Sequence, residues 1–384
     1  MKKVLLVTWY ANYNYGTALQ AYALKTVVEN PSITGLIKTP ESWEYTCYFL
    51  PHTPERRKRK NRLIRLFMPR SYMIKINYAI DRKIYTKKRG LFEIRENAFD
   101  KFISDNFHFA AEHNLQNKDE LSQISNAFDY VMSGSDQIWN PEALDPVYLL
   151  QWVSSAEKIS YGSSLSIQVI PQNDVSLFHI ALNDFKSISI RDSACREQLS
   201  AIVGKPVTTV VDPVLLIGQE GLTRNCKQLN LPSYLFCYFL GNNKKHRTLS
   251  LTESKKKELE IHSIINVGSN FPADKQLEEY ADWDVDPWKF VSYINEATFV
   301  ITDSFHATVI SVLCHTSFVV LEKDSNRPEQ NNRILEFLKS VGLSGRWGTG
   351  SIDSDITQDE WSQADIALNN MRLESLKYLM EALR

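Results

Sequence analysis

The sequence predicts an α/β protein whose two halves face each other across a cleft. Three observations indicate this fold. The chain has 384 residues, which is long for a single hydrophobic core. Short apolar or β-branched segments alternate with helical ones, which is typical of a parallel sheet covered by helices. The alternation starts again after Pro213, so we expect this architecture twice.

The N-terminal half is predicted to begin with a buried strand at 4–8, because the stretch is short and rich in Val and Leu. A helix follows at 17–29, and Pro31 ends it. A basic helical insertion is expected at about 55–105. The later strands of this half are expected at 130–132, 158–161, 187–190 and 207–211.

Residues 217–233 are polar and contain Gly and Pro, which predicts a linker. The expected domains are therefore 1–216 and 234–384. The C-terminal strands are expected at 235–240, 264–267, 299–301 and 318–321, and the helices at 246–261, 287–295, 305–314 and 330–340. A last amphipathic helix is expected to pack back on the N-terminal domain.

Composition excludes several classes of protein. A formal net charge of −1 argues against a nucleic-acid-binding molecule. No apolar run reaches the ~18 residues of a membrane span. The five cysteines are scattered without a C-x-x-C pair, so neither a disulfide framework nor a zinc site is expected, and a cytoplasmic location fits.

The segment 55–89 is strongly basic, with fourteen Lys or Arg against Glu55 and Asp81. Interleaved apolar residues predict amphipathic helices. Two interpretations stay open. The segment rests on an anionic lipid surface, or it is a solvated helical face.

Two loops follow predicted strands and could bind a ligand. The first, 12–16, precedes a helix whose free N–H groups suit an anion, with Asn14 and Gly16 as candidates. The second lies where open α/β sheets bind ligands. Its candidates are Ser133, Gly134, Ser135, Asp136 and Gln137. The alternatives are a plain turn capped by Asn14 and a capped helix start with Trp139 in the core.

Three further candidates lie later in the chain. Arg191 ends a strand, where its planar guanidinium could hold a carboxylate or phosphate, or simply pair with Asp192. The segment 300–309 runs from a strand into a helix, with Asp303 or Ser304 as the cap and His306 in the first turn.

A bound anion there would meet free N–H groups and the imidazole together, which makes His306 a candidate proton donor. A capping-region histidine without a ligand is the alternative. Arg327, Asn332 and Arg333 could close over an anion, or be solvated helix residues.

Several segments, in this order and spacing, resemble the polysaccharide pyruvyl transferase family. They span residues 4 to about 346, nearly the whole chain. Each segment is weakly specific by itself, and the resemblance rests on their shared order and spacing. The matching segments are 14–20, 133–141, 161–164, 190–193, 211–214, 286–291, 302–306 and 332–333.

The resemblance implies two Rossmann-like domains similar to GT-B glycosyltransferases. It also implies transfer of an enolpyruvyl group from phosphoenolpyruvate to two sugar hydroxyls, forming a cyclic ketal in bacterial cell-surface polysaccharide synthesis. The acceptor would be a sugar or lipid-linked oligosaccharide, and no separate cofactor, metal or nucleic acid is expected. The enzyme would be cytoplasmic, with peripheral contact at the inner face of the membrane.

In that mechanism Arg191 would clamp the anion, His306 would donate the proton and Asp136 would be the acceptor-hydroxyl base. Ser163 would join the substrate-binding set. Many members have an arginine two residues before the histidine, where this chain has Ser304. One phosphate or carboxylate contact is therefore either missing or supplied elsewhere, with Arg327 and Arg333 as the candidates.

Two alternatives remain at this point. One is a GT-B glycosyltransferase that uses a nucleotide sugar. The other is a non-catalytic glycan-assembly protein that binds the ligand without turnover, which the Ser304 substitution would allow.

Overall fold

A computed structural model describes residues 1–11, 13–52, 70–265, 271–324, 329–348 and 352–384, with the backbone alone at 70–87 and 329–330. Part of the basic segment, 55–69, and Arg327 lie outside these ranges. The lipid-contact interpretation of 55–89 therefore stays a prediction.

A parallel four-stranded sheet forms the centre of the N-terminal half. Its strand order is β2-β1-β3-β4, and every pair is parallel, so the carboxyl ends share one edge. Two short parallel strands, β5 and β6, adjoin β4 through a bridge between Ile159 and Ser187. The strands are β1 Lys2–Val7, β2 Tyr45–Phe49, β3 Tyr130–Ser133, β4 Glu157–Ser160, β5 Ile188–Ile190 and β6 Val207–Thr209.

Helices lie between these strands, as right-handed crossovers of a parallel sheet require. Described helices in this half are α1 Tyr15–Glu29, α2 Arg70–Asn106, α3 Lys118–Ser125, α4 Gln172–Leu182, α5 Arg196–Val203 and α6 Pro213–Thr223. None of the described helices in the whole chain is long and apolar enough to cross a membrane.

The C-terminal half has its own parallel sheet, with strand order β10-β9-β7-β8. The predicted α/β class is therefore confirmed. The strands are β7 Tyr234–Tyr238, β8 Glu260–Ile264, β9 Phe299–Thr302 and β10 Phe318–Val320. The described helices are α7 Lys244–Lys256, α8 Pro287–Asn295, α9 Phe305–Leu313, α10 Glu329–Ser340 and α11 Gln358–Ala382.

One predicted helix was wrong in extent. It was expected at 246–261, but α7 ends at Lys256 and Ile261 lies in β8. The strand expected at 264–267 accordingly lies earlier. Pairing of β8 with β7 along its whole length, which buries Ile264, outweighs the helical propensity of the charged residues before it.

The expected linker 217–233 begins inside α6, where Ile217 and Leu222 are buried. Helix α11 contacts the N-terminal half. The Tyr378 hydroxyl donates to the carbonyl of Ser160 at 2.8 Å, and Arg372 donates to the carbonyl of Thr34 at 2.6 Å.

The two halves are joined by a continuous hydrophobic core, which includes an aromatic stack, and by the buried side chain of Arg95. The ring of Tyr15 stacks on Phe290 with centroids 4.4 Å apart. Arg95 of α2 is 1% exposed and donates to carbonyls of the C-terminal half. Its acceptors are Trp283 at 2.8 Å, Asp282 at 2.5 Å and Ile265 at 3.4 Å.

Candidate active site

The two halves meet at the start of α1 and the start of α9. A Cβ atom added to Gly16 would lie 2.0 Å from Nδ1 of His306. Only glycine at position 16 therefore leaves room for the imidazole of His306 where the structure has it. The sequence-predicted Gly16 and His306 thus lie in direct contact, although 290 residues separate them in the chain.

A buried carboxylate links Arg191 with His306. Arg191, just after β5, donates from Nη1 to Oδ2 of Asp212, and His306 Nε2 lies 3.5 Å from the same oxygen. The other oxygen, Oδ1, accepts from the N–H of Val214 at 2.9 Å and caps α6. Asp212 therefore fixes both side chains on the framework of a helix start.

Asp212 is ionised in this setting. Its side chain is fully buried, and burial alone would raise the pKa of the carboxyl. The positive charge of Arg191, together with the neighbouring His306 ring and the N–H of Val214, outweighs burial and holds the pKa of Asp212 well below its ordinary value.

The guanidinium groups of Arg191 and Arg333 both lie near the ring of Phe305. The centres of the Arg191 and Arg333 guanidiniums lie 5.6 and 4.4 Å from the centroid of Phe305. Burial, followed by repulsion from Arg191, lowers the pKa of Arg333 to about 10. Two like charges held this close would be stabilised by an anion between them.

Several buried nitrogens at this place have no hydrogen-bond partner within the described residues. Buried polar groups are normally paired, so a cluster of unpaired donors at one place suits the binding of an anion. The atoms are Nε and Nη2 of Arg191, Nε and Nη1 of Arg333, and Nε2 of His306. Together they form a set of donors suited to a carboxylate or phosphate.

Asp136 lies on the other side of Arg191. Its backbone has φ of 69°, and its carboxylate accepts from Thr17 Oγ1 at 2.7 Å and from the Gln137 N–H at 2.8 Å. Nη2 of Arg191 lies 3.9 Å from Oδ1 of Asp136. Asp136 therefore ties α1 to the arginine. The Gln137 side chain is half-buried beside it.

The three predicted serines turn towards the backbone instead of an open site. Ser133 donates to the carbonyl of Tyr148 at 2.7 Å, Ser135 to that of Gly162 at 3.1 Å and Ser163 to that of Ser133 at 3.1 Å. All three are fully buried. These residues build the loop that carries Asp136.

Gly134 has the same role as these serines. Its φ is 125°, and an added Cβ would lie 2.1 Å from the carbonyl oxygen of Tyr161. No larger residue fits between these two loops.

Three predicted residues hold helix starts and strand ends. Ser304 caps α9 by accepting from the Ala307 N–H at 3.4 Å, and Asn14 caps α1. Asp303 is 2% exposed and accepts from the N–H groups of Leu240 and Gly241 at 2.6 and 2.9 Å. Its carboxylate thus fixes the end of β7. Asn332 is exposed on α10.

Sequence reasoning assigned no site role to two aspartates. Asp212 stood only in a family segment. Asp192 does not form the expected pair with Arg191. It accepts from the N–H groups of Leu165 and Ser166 at 2.6 and 3.2 Å, and from Ser164 Oγ at 3.1 Å. It therefore shapes the 164–166 loop. A polar residue at a strand end was the available signal for both.

Comparison with known protein families identifies the chain. The family model described as polysaccharide pyruvyl transferase matches residues 14–325. The chain belongs to the polysaccharide pyruvyl transferase family. This family consists of transferases, so the protein is an enzyme of that class, and its family implies a polysaccharide acceptor. No curated protein sequence matches the chain.

Solved structures show what this pyruvyl transferase resembles in fold. A UDP-N-acetylglucosamine 2-epimerase has a TM-score of 0.50 at 11% identity, covering 100% of this chain and 95% of that one. The Neisseria meningitidis UDP-GlcNAc 2-epimerase has a TM-score of 0.47 at 11% identity, covering 99% of both chains.

An E. coli heptosyltransferase has a TM-score of 0.39 at 9% identity, covering 88% of this chain and 99% of that one. At these identities the likeness concerns the fold alone. The first of these likenesses, at a TM-score of 0.50, and the two parallel sheets confirm the predicted fold of two Rossmann-like domains.

Within the described part of the pyruvyl transferase, no three His, Cys, Asp or Glu side chains are grouped so as to hold a metal ion. The charged groups that converge are instead the two arginines, His306 and the aspartates that orient them.

Proposed function

We propose that this pyruvyl transferase moves the enolpyruvyl group of phosphoenolpyruvate to two hydroxyls of a sugar. The observation that carries the proposal is the pair of buried guanidiniums with unpaired N–H donors beside His306. Phosphoenolpyruvate presents a carboxylate and a phosphate on three carbons. Clustered, planar cations match such a ligand better than an apolar pocket does.

The proposed reaction begins with a proton delivered to the methylene carbon of phosphoenolpyruvate. The adjacent carbon becomes cationic, and one sugar hydroxyl attacks it and loses its proton. The bond from this carbon to the phosphate oxygen then breaks, and inorganic phosphate takes up a proton as it leaves. A second hydroxyl attacks the same carbon and closes the ketal. The two protons lost by the hydroxyls equal the two gained by the methyl group and the phosphate.

His306 is the proposed proton donor, and Arg191 with Arg333 forms the proposed anion clamp. Arg333 would then supply the contact that Ser304 does not. Asp136 was predicted as the hydroxyl base. Both of its oxygens have partners, which favours a role in positioning Arg191, and the base role stays a prediction.

The proposed setting is synthesis of bacterial surface polysaccharide at the cytoplasmic side of the membrane, with the basic segment 55–89 near anionic lipid. Vesicle sedimentation should show binding that weakens as salt is raised, because exposed charges are screened. Vesicle binding that does not depend on the salt concentration, or no binding at all, would contradict the lipid contact.

A thermal-shift screen tests the donor. Phosphoenolpyruvate should raise the unfolding midpoint, because a ligand that binds only the folded state stabilises it. UDP- and GDP-sugars should not. Arg191→Lys should abolish the shift, since lysine cannot provide the bidentate contact.

A shift with nucleotide sugars instead would favour a glycosyltransferase. Binding of phosphoenolpyruvate without turnover on any glycan would favour a non-catalytic protein. Mass spectrometry of the host glycan, with and without this enzyme, should show the loss of a pyruvyl increment when the enzyme is absent.

A methyl group on Gly16 should disable the enzyme while leaving the helix intact. Gly16 lies in the first turn of α1, where alanine normally favours the helix. The added carbon would displace the His306 ring, and such misplacement costs about 100-fold in turnover. Phosphate release measures this loss. Gly90→Ala, where an added Cβ meets nothing within 4 Å, is the matched control. Equal activity of the two variants would count against the assigned place of His306.

A further inference from the structure

A small cavity of about 30 Å³ opens beside the guanidinium pair. Arg191 and Arg333 line it, together with the 166–168 loop and Glu336 of α10. The loop belongs to the N-terminal half and α10 to the C-terminal half, so the cavity spans the cleft. A volume of this size holds one or two oxygen atoms, which suits an edge of the donor anion but leaves no room for a sugar ring.

The rim of this cavity differs in chemistry from its floor. We call Arg191 and Arg333, which contribute buried guanidinium nitrogens, the floor, and the more exposed lining residues Ser166, Gln168 and Glu336 the rim. Gln168 and Glu336 are exposed. A carboxylate at the rim would repel a second polyanion but would accept hydrogen bonds from hydroxyl groups. Neutral, hydroxyl-rich ligands therefore suit the rim.

The segment that carries Gln168 continues with an exposed apolar residue. Val169 is 68% exposed, immediately after Gln168. A sugar ring has hydroxyls along its edge and C–H groups on its faces, so it can contact both kinds of surface. An exposed aliphatic residue beside hydrogen-bonding groups matches this pattern.

Asp192 holds the start of the 166–168 loop in place. Ser166 has φ of 55°, and Asp192 accepts from its N–H and from that of Leu165. Because Asp192 follows Arg191 directly, the loop and the arginine are positioned by the same two residues. Ser166 is thus held next to the anion clamp.

We propose that Ser166, Gln168 and Glu336 form the acceptor subsite, which binds hydroxyl groups of a sugar directly above the donor. This inference rests on the proposed function for the identity of the donor below. In this arrangement the donor binds at the floor of the cavity and the acceptor binds at its rim. It lets sugar hydroxyls approach the cationic carbon from the open side.

The test measures binding of simple methyl glycosides of glucose, galactose, mannose and N-acetylglucosamine to the full-length protein. Saturation-transfer NMR, with and without phosphoenolpyruvate, supplies the affinities. Gln168→Ala combined with Glu336→Gln should weaken the bound glycoside about tenfold, the loss expected for hydrogen bonds that include a charged acceptor. The thermal shift with phosphoenolpyruvate should be unchanged. Lys339→Ala, an exposed change on the same helix, should leave both properties unchanged.

Three outcomes overturn the subsite. They are equal glycoside affinity in the double variant and the wild type, no glycoside binding by the wild type, and a loss of the phosphoenolpyruvate shift in the double variant. A failure of the donor assignment looks different. No protein would then respond to phosphoenolpyruvate, while the comparison of glycoside affinities without it would still decide the subsite.

Discussion

A His306→Ala variant should release phosphate from phosphoenolpyruvate about 100- to 10,000-fold more slowly than the wild type, the usual loss for removal of a general acid. Its fold should survive, because the His306 side chain is only partly buried and Asp212 keeps its contacts with Arg191 and the N–H of Val214. The measurement is phosphate release under saturating donor, with the thermal midpoint recorded in parallel.

The control for this change lies on the same segment. His315 follows the other end of α9 and hydrogen-bonds Asp365 at 2.9 Å. His315→Ala should leave turnover within about twofold of the wild type, since surface changes away from a site have small effects. Unchanged turnover in His306→Ala would eliminate His306 as the proton donor.

The Asp212→Asn variant should lose both stability and activity. Asparagine keeps the oxygen that caps α6 but removes the charge that compensates the buried Arg191. Breaking a buried ion pair in this way costs about 3–5 kcal/mol in the free energy of unfolding. Turnover should fall as well, because Arg191 and His306 lose their common anchor. Urea unfolding and phosphate release measure the two effects.

Acid should narrow the stability difference between the wild type and Asp212→Asn. Folding lowers the pKa of Asp212 from an unfolded value of about 3.9. The stabilisation is therefore complete above about pH 5 and is lost as the pH falls below about 4 towards the folded value. A difference that stays constant down to about pH 3 would contradict an ionised Asp212.

The control for the Asp212 change is Asp184→Asn. Asp184 pairs with Lys158, and its side chain is 58% exposed. Surface pairs contribute about 0–1 kcal/mol, so this variant should unfold nearly like the wild type at every pH. A loss as large as that of Asp212→Asn would show that burial is not what matters at Asp212.

Local patterns were sufficient to place the main elements and to select two residues of the candidate site. Arg191 at a strand end and His306 in a first helical turn could both be chosen from sequence. These features depend on hydrophobic periodicity and capping, which act over a few residues. The ends of α8 were even predicted to the residue, because Pro287 at the first helical position fixes the start.

The partners of these residues could not be predicted in the same way. Sequence favoured Asp192 as the partner of Arg191, because the two are adjacent. The actual partner, Asp212, lies 21 positions further on and meets Arg191 only once β6 and α6 are in place. Asp303 was expected to face the ligand, but the end of β7 satisfies its carboxylate instead. Such contacts are decided by tertiary packing, which leaves no local pattern.

Arg95 limits how this enzyme can exchange its substrates. If one half rotated away from the other, the buried guanidinium of Arg95 would lose its hydrogen bonds to three backbone carbonyls. The cost is several kcal/mol until water replaces them. Rotating the two halves apart in every catalytic cycle would therefore require a large input of free energy. Substrates and products are therefore expected to pass through the cleft as the structure has it, and mutations where the cleft meets solvent should change the rate of product release.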